Sequence, residues 1–406
     1  MKEIIGGVCA PKGFYANGIH AGIRQNKSKI DLSLIVSTVK ATAAAVYTTN
    51  LVKGAPIYVT RANLNNGIAQ AMLCNSGNAN TCNADGIEIA TETCEILAKE
   101  LKIQPEDVIV ASTGVIGLPL SIEPFKTGIP EIVKGLGNDL NHADLACQGI
   151  MTTDTKKKEI AIEFMLGNKV CHMGAITKGS GMIHPQMATM LCFITTDVAI
   201  SANLLQDALK ESVSDSFNML SVDGDTSTND MVSIMANGLA ENEKITEKNY
   251  YYAEFVDALK YVTIYLAKAM AKDGEGASKL IVAHVAHAKT IEDAKIVAKS
   301  VICSSLLKAA MFGSDANWGR VLCAIGYSKA NVDVLKVDVA FKSNAGLVPV
   351  CKDGAGIPFS EEIAKKVLSE DEITIEIDLN DGEGESSAFG CDLTYDYVKI
   401  NGDYRS

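Results

Sequence analysis

The 406-residue chain lacks the clustered cysteines of a disulfide framework or a zinc site. Its eleven cysteines are scattered along the sequence, and no two of them stand at CxxC spacing. This pattern is typical of a reduced compartment in which most thiols are buried. The N-terminal residues contain charges and glycines where a signal peptide needs a continuous apolar stretch. We therefore expect a cytoplasmic protein.

Positive charge and long apolar runs are also scarce. The chain has 37 Lys and Arg against 49 Asp and Glu, for a net charge of −12. Such an acidic protein repels phosphate backbones, so we expect no nucleic-acid partner. The uncharged run 179–196 contains glycines, His184 and Pro185, which argue against a membrane span. No membrane partner is expected either.

Several common catalytic and binding motifs are missing. The chain contains no GxSxG elbow and no Walker A sequence, which excludes conventional serine hydrolases and P-loop enzymes. Residues 223–234 begin like a calcium loop, but Thr228 replaces the required glycine and Ile234 the required glutamate. His284 and His287 fall on opposite faces of a predicted strand, so they cannot share a metal. We predict no metal site.

The composition predicts a folded protein, with 47% hydrophobic and 21% charged residues. At roughly 150 residues per domain, the length predicts two or three packing units or one large, closely packed pair. Short apolar or alternating runs predict strands at 34–39, 43–49, 56–60, 71–76, 108–113, 159–166, 170–177, 279–286, 333–341, 372–379 and 393–400. The strict alternation in 372–379 further predicts one exposed face and antiparallel neighbours.

Helices are predicted mainly in the second half of the chain. Helical spacing of apolar residues predicts helices at 86–102, 204–220 and 246–272, and capping signals predict shorter ones that begin at Thr290 and Ser360. Strand runs and helix runs are bunched rather than alternating. This order predicts an α+β fold of layered antiparallel sheets flanked by helices, rather than a doubly wound sheet.

The segment 178–192, with the sequence KGSGMIHPQMATMLC, carries a single charge and lies between two strand-like runs. From residue types alone, a buried strand entered through a glycine loop is the simplest interpretation. The stretch KGSGMIHPQMATML nevertheless closely resembles the signature of the ornithine acetyltransferase family, the glutamate N-acetyltransferases of arginine biosynthesis. Seven further motifs, some before this stretch and some after it, occur along the chain in the order of that family. They are CNSGNANTCNADG, STGVIG, MTTDT, SVDGDTSTND, DGEGASK, GSDANWGR and the C-terminal NGDYRS.

The resemblance implies a precursor of N-terminal-nucleophile type that cuts its own chain between Ala188 and Thr189. Residues 1–188 would then form an alpha chain and residues 189–406 a beta chain that begins with the nucleophile Thr189. The family further implies an assembly that contains two copies of each fragment.

The chemistry of such a terminus can be argued from the residue itself. A threonine hydroxyl is a poor nucleophile unless a base accepts its proton. Cleavage would give Thr189 a free α-amino group, with an unperturbed pKa of about 7.7–8.0, close to its own Oγ. One residue would then supply both nucleophile and base. We expect transfer of an acetyl group from N2-acetylornithine to glutamate through an acetyl-Thr189 ester.

The resemblance also assigns the other site residues. The Thr113 hydroxyl and the Gly114 N–H would stabilise the oxyanion, although Thr-Gly after a strand is otherwise an ordinary turn. Substrate would contact Thr189 itself and five further residues, Thr152, Lys178, Glu275, Asn401 and Ser406. The sequence does not separate Thr152 from Thr153, because a one-residue slip changes the exposed face. Lys178 suits the substrate α-carboxylate, and Glu275 suits the amino group of ornithine.

Two other classes of function stay open at this point. One is an N-terminal-threonine amidase or hydrolase that releases acetate to water, and the other is a non-catalytic amino-acid-binding protein in which ATML is only core. Transacetylation requires no cofactor. Some family members also use acetyl-CoA as a co-substrate, and nothing in these residues indicates that ability.

Overall fold

The computed structural model describes residues 1–184 and 190–402, and sixteen strands and eleven α-helices lie within them. The strands are β1 (Lys2–Ile4), β2 (Phe14–Ile19), β3 (Leu32–Tyr47), β4 (Ile68–Asn75), β5 (Val108–Ser112), β6 (Lys158–Leu166), β7 (Lys169–Lys178), β8 (Leu191–Thr196), β9 (Leu220–Ser221), β10 (Met231–Ala236), β11 (Leu280–Ala288), β12 (Asp338–Ser343), β13 (Gly346–Lys352), β14 (Ala355–Gly356), β15 (Glu372–Asp378) and β16 (Gly384–Cys391). The helices are α1 (Ala55–Asn63), α2 (Gly86–Leu101), α3 (Glu123–Lys134), α4 (Leu140–Ile150), α5 (Ala202–Asp215), α6 (Tyr250–Lys272), α7 (Ile291–Cys303), α8 (Ser305–Phe312), α9 (Trp318–Gly326), α10 (Glu361–Leu368) and α11 (Tyr395–Gly402).

The strands form two sheets. The first has the order β1-β6-β7-β8-β10-β3-β4-β5, with β2 also paired to β3. The second has the order β14-β13-β12-β15-β11-β16-β9. Both sheets are mixed, because the pairs β4–β5, β8–β10, β11–β15 and β9–β16 are parallel. The predicted α+β class of layered sheets flanked by helices is therefore confirmed. The strand pairs other than these four are antiparallel, as expected.

The two sheets share one large apolar cluster. It contains Ile162 and Ile194 from the first sheet, Val282 and Phe389 from the second, and Leu259 from α6. Helix α6 contacts strands of both sheets and ends at Lys272. Burial of this continuous apolar surface fixes the end of α6 against the strand ends of the first sheet.

Several local predictions are confirmed. Strands β6 and β7 form the hairpin expected for 159–166 and 170–177, with Gly167 in the turn at a φ of +61°. The hydroxyl of Thr290 accepts a hydrogen bond from the Asp293 N–H at the start of α7, and that of Ser360 accepts one from Ile363 at the start of α10. Both residues therefore act as N-caps, as their spacing predicts.

Two strand predictions are wrong, and one confirmed strand has a neighbour that was not expected. Residues 56–60 lie in α1, where Pro56 occupies the first turn and Ala55, Ile57 and Val59 are buried. Residues 393–400 lie largely in α11, which is mostly exposed. Strand β15 has the expected alternating burial, but it pairs parallel to β11 as well as antiparallel to β12.

No helix among the described residues combines the length and the apolar character needed to cross a membrane. All eleven cysteines are free and most are buried, although Cys82 and Cys323 are exposed. This burial agrees with the thiol environment expected from their scattered positions.

Candidate active site

A cavity of about 340 Å³ lies where the ends of β5, β7 and α6 meet. Its lining residues are Ala79, Thr113, Gly114, Val115, Ile116, Thr152, Thr153, Lys178, Gly181, Met182, Ser227, Thr228, Asn229, Glu275 and Asn401. The lining includes every predicted site residue that the structure describes. Ala188, Thr189 and Ser406 fall outside the described residues.

Thr113 and Gly114 follow directly after β5. The Thr113 N–H donates to the Asn75 carbonyl at 2.9 Å, which fixes the turn against the end of β4. Gly114 has a φ of +128°, and a Cβ at this position would lie 2.7 Å from the carbonyl carbon of Gly77. Only glycine fits so close to another backbone in this conformation. Among residues 1–184 and 190–402, neither the Thr113 hydroxyl nor the Gly114 N–H has a hydrogen-bond partner.

The loop that carries Ser227, Thr228 and Asn229 holds the cavity wall together. The Asn229 side-chain amide donates to the carbonyls of Ala79, at 2.5 Å, and Ser112, at 3.0 Å. Its oxygen accepts from the Thr81 hydroxyl at 2.6 Å. Asn229 is buried, so these three bonds tie its loop to β5 and to the asparagine-rich loop after β4.

Sequence reasoning missed the contribution of this loop. The segment SVDGDTSTND is one of the motifs that carry the family resemblance, but the sequence analysis assigns no role in the site to Ser227, Thr228 or Asn229. The only signal was the density of polar residues in a short segment that matches the family. The cavity also includes Ala79, Val115, Ile116 and Met182, whose apolar side chains carry no signal for function.

Lys178 ends β7 beside the two candidate threonines. Its Nζ lies 3.2 Å from the Thr152 hydroxyl oxygen. The Thr153 hydroxyl instead pairs with that of Ser180 at 2.7 Å. Both threonines line the cavity, but only the Thr152 hydroxyl contacts the lysine ammonium.

Glu275 follows α6 and presents a carboxylate to the cavity. Its N–H donates to the Ser180 carbonyl at 2.8 Å, and its Oε2 accepts from the Asn401 amide of α11 at 2.8 Å. Gly181 lies against this carboxylate, because a Cβ there would come within 2.2 Å of Oε2. A glycine at 181 therefore permits the position of Glu275.

The cavity presents opposite charges from Lys178 and Glu275. This pair suits an amino acid, which carries both a carboxylate and an ammonium group. Next to Lys178 lies Asp154, a buried carboxyl. Burial alone would raise the pKa of Asp154, but the neighbouring ammonium groups of Lys158 and Lys178 lower it to about 2.

The described residues on both sides of the undescribed segment 185–189 contact strands and loops at the cavity. On one side, Asp223 accepts hydrogen bonds from the N–H groups of Met182 and Ile183, at 2.6 and 2.8 Å. The carbonyl of His184 accepts from the Thr226 hydroxyl at 2.8 Å. On the other side, the carbonyl of Met190 accepts from Met231 at 2.8 Å. The partners of His184 and Met190, which are Thr226 and Met231, lie on either side of the 227–229 loop.

His184 itself is partly buried beside Ser221 and Cys303. Burial, together with the nearby Lys299 ammonium, lowers the pKa of His184 to about 4. Its Nδ1 lies 3.1 Å from the Ser221 hydroxyl and 3.7 Å from the Cys303 sulfur. The imidazole is therefore neutral at physiological pH.

Within the described part of the chain, no group of three or more His, Cys, Asp or Glu side chains is arranged to hold a metal ion.

Comparison with known proteins identifies the family. The model of the ArgJ family matches residues 15–406. The chain belongs to the ArgJ family. It is 52% identical over 394 residues to the arginine biosynthesis bifunctional protein ArgJ 1 of Clostridium acetobutylicum, covering 97% of this chain and 96% of that protein. It is 48% identical to the corresponding protein of Caldanaerobacter subterraneus subsp. tengcongensis, over the full length of both.

Two solved structures are similar to parts of this chain. A crystal structure of the arginine biosynthesis bifunctional protein ArgJ from Bacillus halodurans is 46% identical, with a TM-score of 0.49 over 52% of this chain and 98% of that chain. Ornithine acetyltransferase from Mycobacterium tuberculosis, solved with ornithine, is 34% identical, with a TM-score of 0.42 over 45% of this chain and 96% of that one. The predicted family is confirmed, and with it the prediction of an acetyltransferase of arginine biosynthesis.

Proposed function

We propose that this enzyme transfers the acetyl group of N2-acetylornithine to glutamate and so forms ornithine and N-acetylglutamate. The observation that carries the proposal is the single cavity that gathers Thr113, Gly114, Lys178, Glu275 and Asn401. These residues come from segments far apart in the sequence. Together they offer two donors without a partner among the described residues, a cation, and a carboxylate bound to an amide. These are the groups that acyl transfer between two amino acids requires.

The proposal includes self-cleavage between Ala188 and Thr189, which would divide the chain into residues 1–188 and 189–406. Support comes from the family and from the described residues next to the segment, since His184 and Met190 both contact the elements that flank the 227–229 loop. The new Thr189 α-amino group then acts as the base for its own hydroxyl.

In the first half-reaction, the Thr189 amine takes the hydroxyl proton while Oγ attacks the acetyl carbonyl carbon. The Thr113 hydroxyl and the Gly114 N–H are proposed to hold the resulting oxyanion, each contributing about 3–4 kcal/mol. The carbon–nitrogen bond then breaks, and the protonated threonine amine returns its proton to the departing ornithine. An acetyl ester remains on Thr189.

In the second half-reaction, the uncharged amino group of glutamate attacks the ester carbonyl. The same donors stabilise the same type of intermediate, and the bond between carbon and Oγ breaks. The proton lost by the glutamate nitrogen returns to Thr189 through its amine. The free enzyme and N-acetylglutamate result, so no cofactor is consumed.

The charges of the cavity suggest how both substrates bind. Lys178 is proposed to pair with the α-carboxylate that both share, assisted by the Thr152 hydroxyl, 3.2 Å from its ammonium. Glu275, held by Asn401, is proposed to attract the side-chain ammonium of ornithine. Ser406 as a substrate contact stays a prediction from the family resemblance.

Further parts of the proposal concern the second activity and the assembly. The relatives are named bifunctional, and we propose acetyl-CoA as a second acetyl donor to Thr189. Thiol release from acetyl-CoA in the presence of glutamate measures this activity. Two alpha and two beta fragments per assembly, and a cytoplasmic location, also stay predictions.

Glutamate dependence tests the proposal against a hydrolase. Ornithine release from N-acetylornithine is measured with and without glutamate, together with free acetate. We expect ornithine and N-acetylglutamate in equal amounts and little acetate. Thr189→Ala should abolish both cleavage and transfer, and Thr189→Ser should retain some of each. A rate of acetate release that does not depend on glutamate would support the hydrolase. Unaltered function of Thr189→Ala would support the non-catalytic binding protein.

A further inference from the structure

A second lysine next to the site, Lys158, is buried between two carboxylates. Its Nζ lies 2.6 Å from Asp154 Oδ1 and 2.5 Å from Asp273 Oδ2. The exposed fractions of the three side chains are 1%, 0% and 5%. An unpaired charge at this depth is strongly unfavourable, so each member of the triad depends on the others.

The triad connects the segments that carry the proposed substrate contacts. Asp154 accepts hydrogen bonds from the N–H groups of Thr152, at 2.9 Å, and Gly179, at 2.8 Å. Asp273 accepts one from the Thr155 N–H at 3.1 Å and stands two residues before Glu275. The triad therefore joins the 152–155 turn, the end of β7 and the end of α6.

Two cations act on Asp154, but only one of them forms an ion pair with it. Burial opposes the charge of Asp154, whereas Lys158 and Lys178 both favour it. Lys158 forms the direct ion pair, while the Lys178 ammonium contacts the Thr152 hydroxyl. Removing the charge of Lys158 would leave two buried carboxylates, with Lys178 as the remaining cation that acts on Asp154. The ammonium of Lys178 would then be drawn away from the cavity.

We propose that Lys158 is a positioning residue for substrate binding. By occupying the Asp154 carboxylate, it keeps the Lys178 ammonium beside Thr152, where a substrate carboxylate can reach it. The inference rests on the proposed function, because it assumes that Lys178 binds that carboxylate.

Lys158→Met tests the inference through the separation of KM from kcat. We expect KM for N-acetylornithine and for glutamate to rise roughly tenfold to a hundredfold, the size of a lost hydrogen bond to a charged group, with kcat within about threefold. The double variant Asp154→Asn/Lys158→Met removes the competing carboxylate as well. It should return both KM values to within about threefold of the parent enzyme. A purely structural role for Lys158 predicts no such rescue, so a double variant as impaired as the single one would overturn the inference.

Lys279→Met is the matched control. Lys279 is also buried, but its ammonium donates to Ser314 and to the carbonyls of Met311 and Leu368, both at 2.7 Å, and none of these residues lines the cavity. This variant should lose thermal stability without a change in KM. If Lys158→Met does not fold, the double variant is compared with Asp154→Asn alone, because both lose one acceptor oxygen for Thr152 or Gly179. KM values within about threefold of each other support the inference, since Lys158 then acts only through the charge of Asp154, and a further tenfold rise in the double variant overturns it.

Lys178→Met separates this inference from the proposed function. If Lys178→Met leaves both KM values unchanged, the proposed carboxylate site is wrong and the inference falls with it. If Lys178→Met raises KM but Lys158→Met does not, only the role of Lys158 is refuted.

Discussion

Gly114→Ala should disable the proposed oxyanion site while leaving the protein folded. The added Cβ would lie 2.7 Å from the Gly77 carbonyl carbon and 2.9 Å from the Asn78 nitrogen, both of them backbone atoms. Real Cβ atoms essentially never approach closer than 3.0 Å, so the Thr113–Gly114 turn must move by a few tenths of an ångström or more. The positive φ of +128° adds strain of about 1–3 kcal/mol.

The expected result is a fall in kcat of about 100-fold, the usual cost of displacing or losing one oxyanion donor, with KM within about threefold. Gly117→Ala is the matched control. Gly117 lies in the same loop at a φ of +78°. Apart from its own chain neighbours, no heavy atom of residues 1–184 and 190–402 lies within 4 Å of its would-be Cβ. It should lose a similar amount of stability, about 1–3 kcal/mol, and retain its activity.

Steady-state kinetics of acetyl transfer to glutamate and thermal unfolding measure the two effects separately. Parent-like kcat in Gly114→Ala would refute the oxyanion assignment. An equal loss of kcat in both variants would refute the argument from close backbone contact, because within the described structure a backbone atom obstructs the new Cβ at Gly114 and not at Gly117.

Three further predictions follow from contacts around the cavity. Asn229→Ala should destabilise the fold by about 3 kcal/mol, because it removes the amide that donates to the carbonyls of Ala79 and Ser112 and the oxygen that accepts from Thr81. It should also lower kcat. The control is Asn249→Ala, which removes the N-cap of α6 at the end distant from the cavity; it should lower the free energy of unfolding by about 1 kcal/mol, measured by thermal unfolding, and leave kcat unchanged. Gly181→Ala should displace the Glu275 carboxylate and raise KM for N-acetylornithine about tenfold, with a smaller rise in KM for glutamate. Equal rises in KM for both substrates would contradict the assignment of Glu275 to the ornithine ammonium. His184 has a pKa of about 4 in the folded protein, below its ordinary value, so it contributes stability above about pH 6.5 that is lost as pH falls toward 4. Urea unfolding at several pH values should therefore show that the free energy of unfolding falls less steeply between pH 6.5 and pH 4 in His184→Gln than in the parent enzyme. The same dependence on pH in both proteins would contradict the burial of the neutral ring.

The sequence predicted strands best where the alternation of residues reflects burial within one sheet. Strands β6 and β7 form the expected hairpin, and β15 has the expected alternation, with buried residues on one face and mostly half-buried residues on the other. The alternation in β15 did not reveal its parallel partner β11, because the direction of a neighbour depends on how the chain returns and not on the strand's own residues.

The two runs wrongly predicted as strands show where local preference yields to context. Residues 56–60 are rich in strand-forming types, but Pro56 stands in the first turn of α1, a position that proline favours in helices. In residues 393–400, alternation suggested a strand. The segment instead forms α11, and its Asn401 hydrogen-bonds Glu275, a residue more than a hundred positions away. Local sequence patterns contain no information about such a contact.

The site was predicted through family motifs rather than through physical patterns. The cavity gathers the described members of the predicted set, from Thr113 to Asn401. Asn229 was missed because its role is to bond the carbonyls of Ala79 and Ser112, which are distant in sequence. The triad of Lys158, Asp154 and Asp273 was missed for the same reason, since only the fold brings these charges together.

The most direct test of the account is the intact mass, under denaturing conditions, of a fully active preparation incubated with N-acetylornithine in the absence of glutamate. We predict two fragments, residues 1–188 and 189–406, with one acetyl group on the second fragment that disappears when glutamate is added. An active preparation that contains only the undivided chain, or an acetyl group on any residue other than Thr189, would contradict the account.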